Sequence, residues 1–95
     1  MNAQIKKIDT LVRKHLHQSK IVLMIVYGIP EKVLDDDIWT YTWNKYFFFK
    51  TKTVFIFKND RVTDIIIFEY IFRIHFRDSF YNANHTPKYE VVKYY

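Results

Sequence analysis

Thr51-Lys52-Thr53-Val54-Phe55-Ile56-Phe57-Lys58-Asn59-Asp60-Arg61-Val62-Thr63-Asp64-Ile65-Ile66-Ile67-Phe68 is the stretch on which the fold turns. In an extended chain Thr53, Phe55 and Phe57 fall on one side, and Lys52, Val54, Ile56 and Lys58 on the other. Apolar groups therefore occupy both sides, as in a central strand. Asn59-Asp60 tolerate the left-handed backbone of a two-residue turn, so Arg61 to roughly Phe68 should pair back antiparallel. An unbroken continuation to Arg77 would make a strand of about 17 residues, well beyond the usual length. A bulge, bend or change of partner is expected near Glu69 to Phe72.

Upstream, Ile38 to Phe49 reads as a strand with Trp39, Tyr41 and Trp43 on one face and Thr40, Thr42 and Asn44 on the other, entered from an Asp35-Asp36-Asp37 turn. The run Ile21 to Tyr27 is apolar throughout, so its flanks decide its type. Ser19 is suited to an N-cap, Gly28 to a left-handed C-terminal position, and Pro30 to a stop, which makes the run a helix. Before it, Ile5, Ile8, Leu11, Val12 and Leu16 recur at helical spacing within Asn2 to Leu16, with lysines and arginine mostly opposite. Downstream, Asn82 to Pro87 reads as a loop and Lys88 to Tyr95 as a last short strand or arm. The expected fold class is α+β: two N-terminal helices packed on an antiparallel sheet of three to four strands. Residues 1–95 form a single domain, with a core over about 2–70 and a C-terminal extension over 71–95.

A chain of 95 residues closes around one core, which excludes a multidomain enzyme. Its 20% aromatic content is far above that of a disordered tail. The absence of cysteine excludes disulfides, thiol catalysis and thiolate-bound zinc. The longest uncharged stretch, Ile21 to Pro30, is half of the ~20 residues a spanning helix needs. Met1 to Thr10 carries no apolar signal-peptide core. No membrane span is expected, and a cytoplasmic location is favoured. The net charge of +5 is uneven: Met1 to Lys20 carries +4, Glu31 to Asn44 carries −3, and Lys45 onward carries +4. Either basic end could meet an anionic partner, although such charge is also that of an ordinary solvated surface.

Ser19 to Pro30, the Asp37-Ile38-Trp39-Thr40-Tyr41 element, and Val54 to Ile65 together resemble the SmpA/OmlA (BamE-like) family, whose architecture is shared with β-lactamase inhibitory protein domains. The resemblance covers roughly residues 17 to 67 and is carried by Ser19, Gly28, Pro30, Trp39, Tyr41, Asn59, Val62 and Ile65. His17 stands where that family enters its helix from a glycine, and Val22 where it carries an acid. The N-terminal lipid-bearing cysteine of its envelope members is missing, so tether and compartment do not transfer. The resemblance implies an ααβββ layer whose free sheet face or edge holds a partner protein, and a binding role without catalysis.

More rings are present than one side of a small sheet can bury, each hiding roughly 150 to 250 Å². The surplus should form a contact surface for another protein or a second copy, since aromatics and arginine dominate binding hot spots. The expected partner-binding residues are Trp39, Tyr41, Trp43, Tyr70, Arg73, His75, Phe76, Arg77, Phe80 and Tyr81. The leading function is thus a non-enzymatic interaction or inhibitor-type module, without cofactor or metal. His15 and His17 lie two apart, a spacing that does not align ligands on a helix face, and the three aspartates lack a calcium-loop pattern. Two alternatives remain. One is nucleic-acid binding through Lys6, Lys7, Arg13, Lys14, Arg73 and Arg77, with aromatic rings available to stack bases. The other is a small toxin-type ribonuclease with His75 as proton carrier and Arg73 and Arg77 as charge stabilisers in one cleft.

Overall fold

The computed structural model describes residues 3–94, and side chains over 5–94. Asn2 and Tyr95, assigned above to the first helix and the last strand, lie outside the described residues. Helix α1 spans Ala3–His15 and α2 spans Lys20–Tyr27. Strands β1 (Lys32–Leu34), β2 (Ile38–Lys45), β3 (Phe49–Lys58), β4 (Arg61–Ile71), β5 (Ile74–Asn82) and β6 (Tyr89–Lys93) follow. They form one antiparallel sheet whose spatial order is their chain order.

The class is α+β with N-terminal helices, but the expected sheet of three to four strands is corrected to six. Residues 74–82 and 89–93, within the expected C-terminal extension over 71–95, supply two strands of this sheet. β5 pairs along β4 from Asp64↔Asn82 to Ile71↔Ile74, and β6 pairs along β5. The strand expected over Ile38 to Phe49 also divides, because Tyr46-Phe47-Phe48 turn the chain and Lys45 pairs with Phe49. The physical reason lies in the turns. Asn59 and Asp60 have φ of 53° and 64°, as their short polar side chains allow. Tyr46 (φ 57°), Phe72 (φ 49°) and Arg73 (φ 69°) take the same left-handed backbone with bulky side chains that give no turn signal.

Rows of paired residues cross the sheet and define its helix-covered face. One row runs Trp39, Phe55, Ile65, Tyr81, Tyr89; the next runs Tyr41, Thr53, Ile67, Ser79, Val91. Ile8, Val12 and Leu23 of the helices close over these rows to make the core, with Phe57 and Val62 at its margin. The helix hairpin is tied to the start of β4 by backbone bonds from His17 N to Val62 O (2.9 Å) and from Val62 N to Gln18 O (3.0 Å). Ser19 caps α2 by accepting from Val22 N, and Gly28 ends it at φ 81°, its N–H returning to Met24 O. The Tyr41 hydroxyl donates to Gly28 O at 2.9 Å, fixing that end of α2 to β2.

Helix length limits how much of the sheet is covered. Eight residues of α2 span about 12 Å and thirteen of α1 about 20 Å. Eleven residues of β4 reach about 37 Å. The end of the sheet carrying the β2–β3 and β4–β5 turns therefore projects past α2, and among the described residues no helix covers the opposite sheet face.

Candidate functional site

Polar and apolar features divide among three places on this scaffold. The first is a cleft of about 730 Å³ on the helix side, beyond the hydrocarbon core, walled by Trp43, Tyr46, Phe48 and Phe49 with Glu69 at its floor. Glu69 is fully buried yet fully engaged. Arg77 grips it through Nε (2.8 Å) and Nη2 (2.9 Å), and Lys7 Nζ of α1 reaches it at 3.0 Å. Burial alone would raise the Glu69 pKa, but the hydrogen bonds and charges of Arg77 and Lys7 outweigh it and hold the carboxyl below its ordinary range. This triad locks α1 to β4 and β5, its carboxylate already accepting three charge-assisted hydrogen bonds.

The second is His75, on the other sheet face. Its Nε2 bonds the buried Asp78 carboxylate, whose second oxygen accepts from the Tyr94 hydroxyl at 2.7 Å. Tyr70 stacks on the imidazole at 4.9 Å between centroids, and Phe68 meets it edge-on. A bulge governs the arrangement: Glu69 pairs with Arg77 while Tyr70 pairs with His75, leaving Phe76 as the extra residue. On an unbroken strand Arg73, His75 and Arg77 would share a side. Here Arg77 turns to Glu69 beneath α1, His75 turns to Asp78, and Arg73 sits in the tight turn. The single cleft required for a ribonuclease is not formed by these three residues.

The third is exposed hydrocarbon, which the structure concentrates in two patches. One lies on the outer side of α2, with Ile21, Ile25 (78% exposed) and Val26, followed along the chain by exposed Ile29 (85%), Val33 and Leu34. The other is the turn-bearing end of the sheet, where Tyr46, Phe47 (95%), Phe72 (67%) and Ile74 stand out. Of the expected partner-binding residues, Trp39, Tyr41 and Tyr81 are buried in the core and so are not surface groups. Trp43 is exposed at the cleft and touches Tyr27 at 5.4 Å. Tyr70, His75 and Phe80 are half-buried on the face without helices; Phe76 packs against Phe49. Exposed Ile25, Ile29 and Phe72 were not among the expected contact residues, whereas Phe47 was expected only among the rings that could stack bases. A signal for Ile25 was present in the uninterrupted apolar run of α2, which no single buried side can absorb.

The two histidines near the helix junction do not act together. His15 is buried, with Nδ1 2.8 Å from Gln18 Oε1 and Nε2 2.6 Å from the Tyr27 hydroxyl, while His17 occupies the turn at φ 67°. Among the described residues no cluster of three or more His, Asp or Glu is placed to hold a metal ion. No helix among them is long and apolar enough to cross a membrane. No family model, curated protein or solved structure matches the chain, so nothing in these comparisons identifies the SmpA/OmlA family.

Proposed function

We propose that this chain is a non-enzymatic protein-binding module, and that its docking surface is the outer side of α2 with the adjoining β1 edge. The observation that carries the reading is that α2 is apolar on every side while only Leu23 is fully buried. A helix of that composition is ordinarily enclosed. Contiguous exposed hydrocarbon of this kind marks an interaction site when it is more than scattered single residues. Exposed Val33 and Leu34 lie on a three-residue edge strand whose outer backbone groups have no neighbouring strand among the described residues. The partner is another protein or a second copy of the chain.

The nucleic-acid reading is weakened by the ion pairs. Of its six basic residues, Lys7 and Arg77 hold Glu69, and Arg13 holds Asp9 at 2.7 Å. The test compares the wild-type chain with Ile25→Asp, a change at an exposed site that leaves the core intact. Light scattering over a concentration series should show a dimer for the wild type and a monomer for the variant if the partner is a second copy. For a different partner, capture should survive nuclease treatment and vanish with Ile25→Asp. Capture that is abolished by nuclease, or that is indifferent to Ile25, rejects the proposal.

A further inference from the structure

The turn-bearing end of the sheet is a separate surface from α2. Its two hairpin tips are clamped together: Phe72 N donates to Phe48 O at 2.8 Å, and the Phe48 and Phe72 rings stack at 5.3 Å. Tyr46 stacks on Phe48 at 5.7 Å, and Phe47 meets it edge-on. The result is a single knob of rings. Tyr46 and Phe72 hold it in left-handed backbone, where glycine or asparagine would fit with less strain. Nothing in the core requires a ring at Phe47 or Phe72, since both point outward.

The charge around the knob has one sign. Residues 43–52 and 69–78, which form the two tips, contain Lys45, Lys50, Lys52, Arg73 and Arg77. Their two carboxylates, Glu69 and Asp78, are both buried in the contacts described above. Cations flank the rings on both sides: exposed Lys45 lines the helix-side cleft, whereas half-buried Lys50 and exposed Arg73 line a second hollow with Phe47 and Phe72. A convex apolar knob framed by cations complements a deformable apolar layer beneath an anionic surface. Rings settle at the boundary of headgroups and acyl chains, and cations add attraction to acidic lipids. An RNA-stacking platform calls for ring faces spaced along a groove to take successive bases, whereas Tyr46 and Phe72 each stack on Phe48 instead.

We infer that the Tyr46–Phe48 and Phe72–Ile74 tips form a membrane-surface anchor that inserts shallowly into an anionic lipid bilayer. This goes beyond the protein-binding role of α2 and uses none of its residues. The test is co-sedimentation of the full chain with phosphatidylcholine vesicles, with and without phosphatidylglycerol. Binding is expected only to the anionic vesicles, with a blue shift of the emission of Trp43, which sits beside the knob, while Trp39 stays in the core. The double variant Phe47→Ser/Phe72→Ser should lose binding by tenfold or more. Lys45→Gln/Arg73→Gln should weaken it about thirtyfold, from roughly 1 kcal/mol per cation near such a surface. Ile25→Asp should bind as the wild type, which separates this inference from the protein-binding one. Circular dichroism of each variant establishes that the sheet is retained. No binding to anionic vesicles, equal binding after loss of Phe47 and Phe72, or knob-dependent binding of single-stranded RNA in place of vesicles would overturn the inference.

Discussion

Two ends of one sheet treat the same residue types in opposite ways. Beneath the helices, Trp39, Phe55 and Tyr81 are enclosed and Trp39 meets Phe57 edge-on at 5.1 Å. At the far end, Tyr46, Phe47 and Phe72 stand in solvent, Tyr46 and Phe72 on backbone that bulky residues seldom adopt. Aromatic content therefore does not decide burial here; helix reach does. Past the end of α2, still beneath α1, the covered face changes from hydrocarbon to the Glu69–Arg77–Lys7 cluster, and the rings at the strand tips turn outward. The lesson is that a surplus of rings is disposed by length matching between layers.

The sharpest way to test this contrast is to truncate one ring from each end. Phe55→Ala should cost about 3 to 5 kcal/mol in urea unfolding, because it opens a cavity in the core. Phe47→Ala should stay within about 0.5 kcal/mol of the wild type. Similar losses for both would mean that the exposed end belongs to the core. Glu69→Gln comes next, with a loss of about 3 kcal/mol from leaving Arg77 and Lys7 without their carboxylate. The depressed Glu69 pKa gives this a pH signature. Its contribution is present above the unfolded value and is lost as pH falls through the lower folded value. The variant should therefore show a shallower acid loss of stability.

Gly28→Ala should cost about 2 kcal/mol, since φ 81° with ψ −158° is reserved for glycine even though a Cβ there would meet nothing within 4 Å. By contrast, Phe72→Asn should be neutral or stabilising by up to about 1 kcal/mol, because asparagine accepts the left-handed turn that strains phenylalanine. A large loss with Phe72→Asn would place its stacking on Phe48 among the bonds that hold the fold. The smallest effect concerns β6. Desolvation, with the hydrogen bond to Asp9, raises the Tyr89 phenol to about 12. A folded pKa above the unfolded value of 10 means that this contribution is complete below pH 10 and disappears as pH rises toward 12. Tyr89→Phe should remove that part of the alkaline loss, read as a flatter melting-temperature profile.

How much was legible depended on whether the determining contacts were local. The α2 cap at Ser19, its end at Gly28 and the Asn59-Asp60 hairpin were readable because each rests on the preferences of one to four adjacent residues. The break expected near Glu69 to Phe72 arrives as the Phe72-Arg73 turn, for a reason of length alone. The short strand expected within Lys88 to Tyr95 is present as β6 at Tyr89–Lys93, whereas β5 was not marked off as a separate strand because Phe72-Arg73 lack turn chemistry and the Phe76 bulge interrupts alternation. That bulge also undid the Arg73, His75 and Arg77 cluster, since inserting one residue sends its neighbours to different partners. Trp39, Tyr41 and Tyr81 were expected at a surface because alternation shows that they share a face without showing that the helices cover it.

The sequence by itself determined the N-terminal helices, the central hairpin and a ring content too large for one core, because periodicity, capping and composition act over short spans of chain. Only the tertiary structure decided that six strands join in one sheet, which rings lie under the helices and which form the knob. Those outcomes rest on pairing between residues distant in sequence and on the mismatch between short helices and long strands.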